Sequence, residues 1–101
     1  LQIRFEVVRI LDDLSADRAL VLAAREATRL AGARLEDEEG LYRAGRGTRT
    51  DIIDAQTNLA ARELEEIRAI ISLNVDIERF YRAQGTYLER SKVAIDPVPG
   101  N

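Results

Sequence analysis

A chain of 101 residues and 11.3 kDa is one domain's worth at most and leaves no room for a multi-domain enzyme. It has no His and no Cys. It therefore lacks the usual ligands of zinc, copper, haem and iron–sulfur sites, and also the Ser-His-Asp and Cys-His nucleophile systems. Fifteen basic against 18 acidic side chains give a net charge of −3, a balance that disfavours nucleic-acid binding.

No metal, no cofactor and no enzymatic activity are expected. A disulfide-stapled scaffold is excluded, and the one Lys, Lys92, lies near a tail ending in Pro97, Pro99 and Gly100. The 46% hydrophobic content is rich in Ala, Leu and Ile with few aromatics, the composition of long helices. The longest apolar run, Ala19 to Ala24, is far short of the roughly 20 residues of a membrane-spanning helix. The first residue is Leu and no basic, apolar leader follows it, so the chain reads as a segment excised or processed from a longer protein.

The first predicted helix covers about residues 3–44. Val7, Leu14, Val21, Thr28, Leu35 and Tyr42 recur every seven residues, with Ile3, Ile10, Ala24 and Ala31 as a companion series, which is the pattern of a coiled-coil seam. Gly32 and Gly40 lie inside this arm at about 1 kcal/mol each relative to Ala and are expected to mark a bend or a close helix contact. The run Glu36-Asp37-Glu38-Glu39 lacks the alternating spacing and glycine of a calcium loop. It reads as a solvated helix face.

Turn signals concentrate at Ala44-Gly45-Arg46-Gly47-Thr48, with the tip itself at about residues 45–48. Gly45 or Gly47 would take the left-handed conformation that ends a helix. Thr48 and Asp51 form a capping box with Asp in place of the usual Glu. The glycines before a helix start superficially resemble a phosphate loop, but the strand, the third glycine and the Walker Lys are missing. Arg43, Arg46 and Arg49 crowd basic charge at the tip, where they would serve protein docking or simply keep a turn soluble.

The second helix is expected over about residues 49–85, ending at Gly85-Thr86 before a short coda. Its seam reads as Ile53, Ala60, Ile67, Asn74, Tyr81 and Leu88, with Ile70 and Ile77 beside it. Folding the chain back makes facing positions add to 95, which puts the midpoint between Gly47 and Thr48, where the glycines independently place the turn. Asn74 would then face Val21 and fix register, while Gln56 and Glu63 would weaken the seam near the tip. Leu20, Ala23, Ala27 and Leu30 form a second stripe on one arm, and Ile52, Leu59, Leu73 and Phe80 on the other. The fold class is thus all-α: a long antiparallel two-helix coiled-coil hairpin, each arm about 60 Å long, forming one stave of a larger helical assembly.

At the tip, Tyr42-Arg43-Ala44-Gly45, then Thr48, Asp51-Ile52-Ile53-Asp54-Ala55-Gln56 and Leu59 resemble the outer-membrane efflux protein family, the TolC-like channels. Phe80-Tyr81-Arg82-Ala83-Gln84-Gly85-Thr86 resembles the end of the same helix, where the family commonly places a Gly-Thr. The resemblance covers nearly the whole chain, departing where well-known members carry an Arg and this sequence has Gly47. It implies a homotrimeric channel of the outer membrane whose periplasmic helices pack into a tunnel, this segment being the C-terminal periplasmic hairpin and the membrane-embedded β-strands lying elsewhere. It further implies docking to a periplasmic adaptor protein linked to an inner-membrane pump. By the same resemblance Asp51 and Asp54 would line the pore entrance. Tyr42, Gly45, Arg46, Gly47, Thr48 and Arg49 would form the gating or adaptor-docking tip. The segment alone would self-associate through its outer stripes. The alternative is a soluble coiled-coil interaction module without a pore.

Overall fold

The computed structural model of the chain describes residues 2–95, with the side chains of residues 4–86, 88 and 89. Two helices account for almost all of it: α1 over Gln2–Arg43 and α2 over Arg49–Ile95. Their 42 and 47 residues correspond to about 63 and 70 Å of helix. They run antiparallel, since Asp13 pairs with Arg79 far from the tip and Arg25 with Glu66 nearer to it. The all-helical hairpin expected from the heptads is the observed fold.

In one respect α2 differs from its expected length. It continues through Gly85 and Thr86 to Ile95 instead of ending at 85, so residues 86–95 are helix and not a coda. A single glycine costs a helix only about 1 kcal/mol, and it is proline that removes the amide and clashes with the preceding turn. The first proline is Pro97. Residues 96–101 lie outside the described residues.

The seam of α1 is the expected one. Ile10, Val21 and Ala31 are buried, and Val7, Leu14, Ala24, Thr28 and Leu35 are half-buried. Asp17 and Glu38 fill the remaining seven-residue positions of the companion series and are half-buried as well. Tyr42, at the end of the main series, is 48% exposed. The side chain of Ile3 lies outside the described residues.

The seam of α2 is turned by one residue. Ile53, Ala60, Ile67, Asn74, Tyr81 and Leu88 are exposed. The residues that face α1 are Ile52, Leu59, Glu66, Leu73 and Phe80, with Ala55, Arg62, Ala69, Asp76 and Ala83 one half-repeat on. Ala55 is fully buried. The series expected to form an outer stripe is therefore the seam, and the series expected to be the seam points about 100° away from it.

The pairs that span the helices, Asp13 with Arg79, Asp17 with Ser72 and Arg25 with Glu66, add to 92, 89 and 91 rather than 95. Asn74 is exposed, so it neither faces Val21 nor sets register. Gln56 and Glu63 also point outward and interrupt nothing. A Cβ on Gly32 or Gly40 would meet nothing within 4 Å. Neither glycine marks a close helix contact.

Two apolar stripes remain uncovered. Leu20, Ala23, Leu30 and Leu41 of α1 are exposed, and so are Ile53, Leu64, Ile67, Ile71 and Tyr81 of α2. The Asp13–Arg79 pair marks one flank of the seam. Leu20 and Leu41 lie whole repeats away from Asp13 and share that flank, whereas the α2 stripe lies on the other. The hairpin thus presents one apolar stripe on each of its two faces.

Candidate functional site

The tip is held by a specific arrangement of backbone hydrogen bonds. Gly45 has φ of 76°, the left-handed region that glycine enters without a Cβ penalty. The Arg46 amide donates to the Leu41 carbonyl at 2.8 Å and the Gly45 amide to the Tyr42 carbonyl at 3.0 Å. This pair of bonds is a Schellman closure of α1. Of the two glycines expected to take the left-handed conformation, Gly45 is the one that does.

Gly47 serves a different purpose. Its amide also reaches the Leu41 carbonyl, at 3.1 Å, drawing the chain back over the end of α1. A Cβ there would stand 3.0 Å from the Tyr42 nitrogen and 3.1 Å from the Leu41 Cβ, so any side chain would push the end of α1 aside by a few tenths of an ångström. The next residue starts α2: Thr48 Oγ1 accepts the Asp51 amide at 3.1 Å, satisfying one of the free donors of the first turn. Asp51 occupies the first turn of α2, where the helix dipole favours a carboxylate.

Around this turn the expected tip residues gather. Tyr42, Arg46, Thr48, Arg49, Asp51 and Asp54 are all exposed, as is Arg43. Tyr42, Arg49, Ile52, Ile53 and Gln56 line a shallow groove of 460 Å³. Tyr42 and Ile53 are 48% and 52% exposed, giving the groove an aromatic and an aliphatic wall beside the Arg49 guanidinium. Ile52, which also lines the groove, is half-buried. Of the groups exposed at this turn, the tyrosine ring and the guanidiniums are of the kinds enriched at protein interfaces, whereas carboxylates are depleted there.

The acidic run lies one to two turns below. Glu36 and Asp37 are exposed and Glu38 and Glu39 half-buried. Among the described residues no three acidic groups converge as a cation site requires. No described helix is long and apolar enough to cross a membrane.

A second polar feature was not anticipated as a unit. Asp17 and Asp76 both occupy seam positions, Asp76 with a side chain only 13% exposed. Asp17 Oδ2 accepts from the Ser72 hydroxyl at 3.4 Å. Arg79 reaches Asp76 at 3.1 Å and Asp13 at 3.7 Å. Hydrogen bonding to Asp76, then desolvation and the negative charges of Asp76 and Asp13, raise the Asp17 carboxyl above its ordinary value of 3.8, with Ser72 opposing. The signal for half of this was in the sequence, because Asp17 interrupts the series Ile10, Ala24, Ala31. Asp76 became visible only once α2 was seen to be rotated.

Comparison with protein families, with curated proteins and with solved structures returns no match for the chain. The likeness to outer-membrane efflux channels rests on the residues of the tip and of the Phe80–Thr86 stretch.

Proposed function

We propose that the hairpin is a periplasmic stave of an outer-membrane efflux channel, contributing to a helical tunnel and ending in the tip that docks an adaptor protein. The observation that carries this reading is the placement of the two uncovered stripes. A closed ring of staves needs each member to offer one apolar flank to the neighbour on its left and a different one to the neighbour on its right, a head-to-tail arrangement that closes by rotation. Leu20, Leu30 and Leu41 on one face and Ile53, Ile67 and Ile71 on the other meet that requirement. In this reading the full-length protein is a homotrimer, and the adaptor joins it to an inner-membrane pump.

Asp51 and Asp54 would line the pore entrance, and Tyr42, Gly45, Arg46, Gly47, Thr48 and Arg49 would form the gating and docking surface. Gly47 at the position where the resembled family carries an Arg leaves Arg46 or Arg49 to supply the cation of any gating ion pair. Transport through such a conduit is passive and requires no bond to be made or broken.

The test is the intact mass of the natural polypeptide together with the membrane fraction that contains it. A chain several times longer, recovered in the outer membrane, supports the channel. A soluble product of about 11.3 kDa overturns it and leaves the coiled-coil interaction module.

A further inference from the structure

The two uncovered stripes stand at the same height along the hairpin. The pairs that cross the seam, Asp13 with Arg79, Asp17 with Ser72 and Arg25 with Glu66, set which residues of α1 and α2 are level. By that measure Leu20 is level with Ile71, Ala23 with Ile67, Ala27 with Leu64 and Leu30 with Ala60. All are exposed except Ala27, which is half-buried. Toward the tip Arg34 and Asp37 interrupt the α1 stripe, Arg34 level with Gln56, and Leu41 resumes it within a turn of Ile53. Because the stripes lie on opposite faces, they cannot meet within one chain.

They fit each other between chains. With α1 of one copy laid on α2 of another and both tips pointing the same way, Ala23 meets Ile67, Ala27 meets Leu64 and Leu30 meets Ala60. At three successive levels a large side chain therefore faces an alanine, which is what lets two helix faces interdigitate. A slip of one repeat destroys the match. Moved one way, Leu20 meets Leu64 and Ala23 meets Ala60; moved the other, Leu30 meets Ile67 and Ala23 meets Asn74. We infer that the partner of each stripe is a second copy of this chain, the α1 stripe of one copy seated on the α2 stripe of the next in level register.

This deepens the stave reading, on which the common direction of the tips rests, by naming the neighbour. The strip from Leu20 to Leu41 is about 32 Å long by the helix rise and about 10 Å wide, or roughly 300 Å² per copy, against about 800 Å² on each partner of a standard interface. One such contact is weak. A level contact carries no displacement along the helices, so its head-to-tail repetition can close into a ring in which every copy makes two contacts, whereas a slipped one would climb into a filament.

The chain has no cysteine of its own, and Ala23 and Ile67 are exposed and outside the seam. Ala23→Cys and Ile67→Cys, made in separate chains and checked for helical circular dichroism, are mixed at high micromolar concentration in a glutathione redox buffer. Their mixed disulfide should form about tenfold faster than that of Ala23→Cys with Ala60→Cys or with Asn74→Cys, which test a slip of one repeat in either direction. One repeat is about 10 Å of helix, too far for a disulfide without backbone movement. Faster linkage in either slipped pair overturns the inference, as do self-linked dimers of one variant outpacing the mixed dimer, or no linkage at all. None of these outcomes bears on the channel, which the mass and membrane fraction of the natural polypeptide decide.

Discussion

A Cβ added to Gly47 would stand 3.0 Å from the backbone nitrogen of Tyr42, so the residue opening the return strand of the tip is pressed against the last turn of the arm it leaves. That contact, with the left-handed Gly45, sets where α2 begins. Gly45→Ala should destabilise the hairpin by about 1–2 kcal/mol through the forced left-handed conformation. Gly47→Ala should also lose stability, because the backbone of Leu41 and Tyr42 must shift by a few tenths of an ångström to admit the methyl. Thr48→Ala should lose about 1 kcal/mol with its cap. Urea unfolding followed by far-ultraviolet circular dichroism reads all three.

The rotated seam makes two leucine-sized residues six positions apart on α2 behave oppositely. Leu73 faces α1 and Ile67 is 54% exposed. Leu73→Ala should reduce stability by about 1–2 kcal/mol, below the range for fully buried leucines because the site is half-buried. Ile67→Ala should change it by no more than about 0.5 kcal/mol. Equal losses at the two positions would restore the unrotated seam.

Gly32 and Gly40 have open space where a Cβ would go and lie inside α1. Replacing either with Ala should raise stability by roughly 0.5–1 kcal/mol. Thermal midpoints of the single and double variants check this, the double being the sum because the residues are two turns apart on an uninterrupted helix.

Self-association should depend on the uncovered stripes. The paired substitution Ile67→Lys and Ile71→Lys leaves the seam intact while placing charge on one face, and it should shift the 101-residue chain toward monomer in sedimentation equilibrium. A native chain that is strictly monomeric at high micromolar concentration would argue against the stave.

Asp51 and Asp54 are exposed at the start of α2. In the full-length channel, Asp51→Asn with Asp54→Asn should weaken cation block of conductance. Since Thr48 caps the helix through its own hydroxyl, the fold should survive the change. Unaltered block in a folded double variant would remove both residues from the pore entrance.

Period and turn chemistry were legible along the chain, and angular phase was not. On α1 the seven-residue series and its companion are longer than the stripe of Leu20, Ala23, Ala27 and Leu30, so Val7 to Leu35 could be read directly as the seam. On α2 two series compete. Ile53, Ile67 and Tyr81 are as apolar as Ile52, Leu59, Leu73 and Phe80, and the true seam is further disguised by Arg62, Glu66 and Asp76. Arg62 and Glu66 are tolerated because long side chains carry their charges toward the seam's edge, and the short Asp76 because a cation meets it. Glu66 approaches Arg25 at 4.0 Å and Asp76 is held by Arg79.

The sequence by itself determined an all-helical hairpin, its turning point at Gly45 to Thr48, and the cap by which Thr48 starts the second arm. Each follows from interactions within a few residues: a seven-residue repeat, a left-handed glycine, a hydroxyl three residues from an amide. Tertiary structure decided which face of α2 is buried and whether Asn74 or Asp76 shares the seam. It also decided that Asp17 meets the Ser72 hydroxyl. Those outcomes depend on how a five-residue tip directs one long helix against another, where about 100° of rotation exchanges one apolar stripe for the next and no local preference distinguishes them.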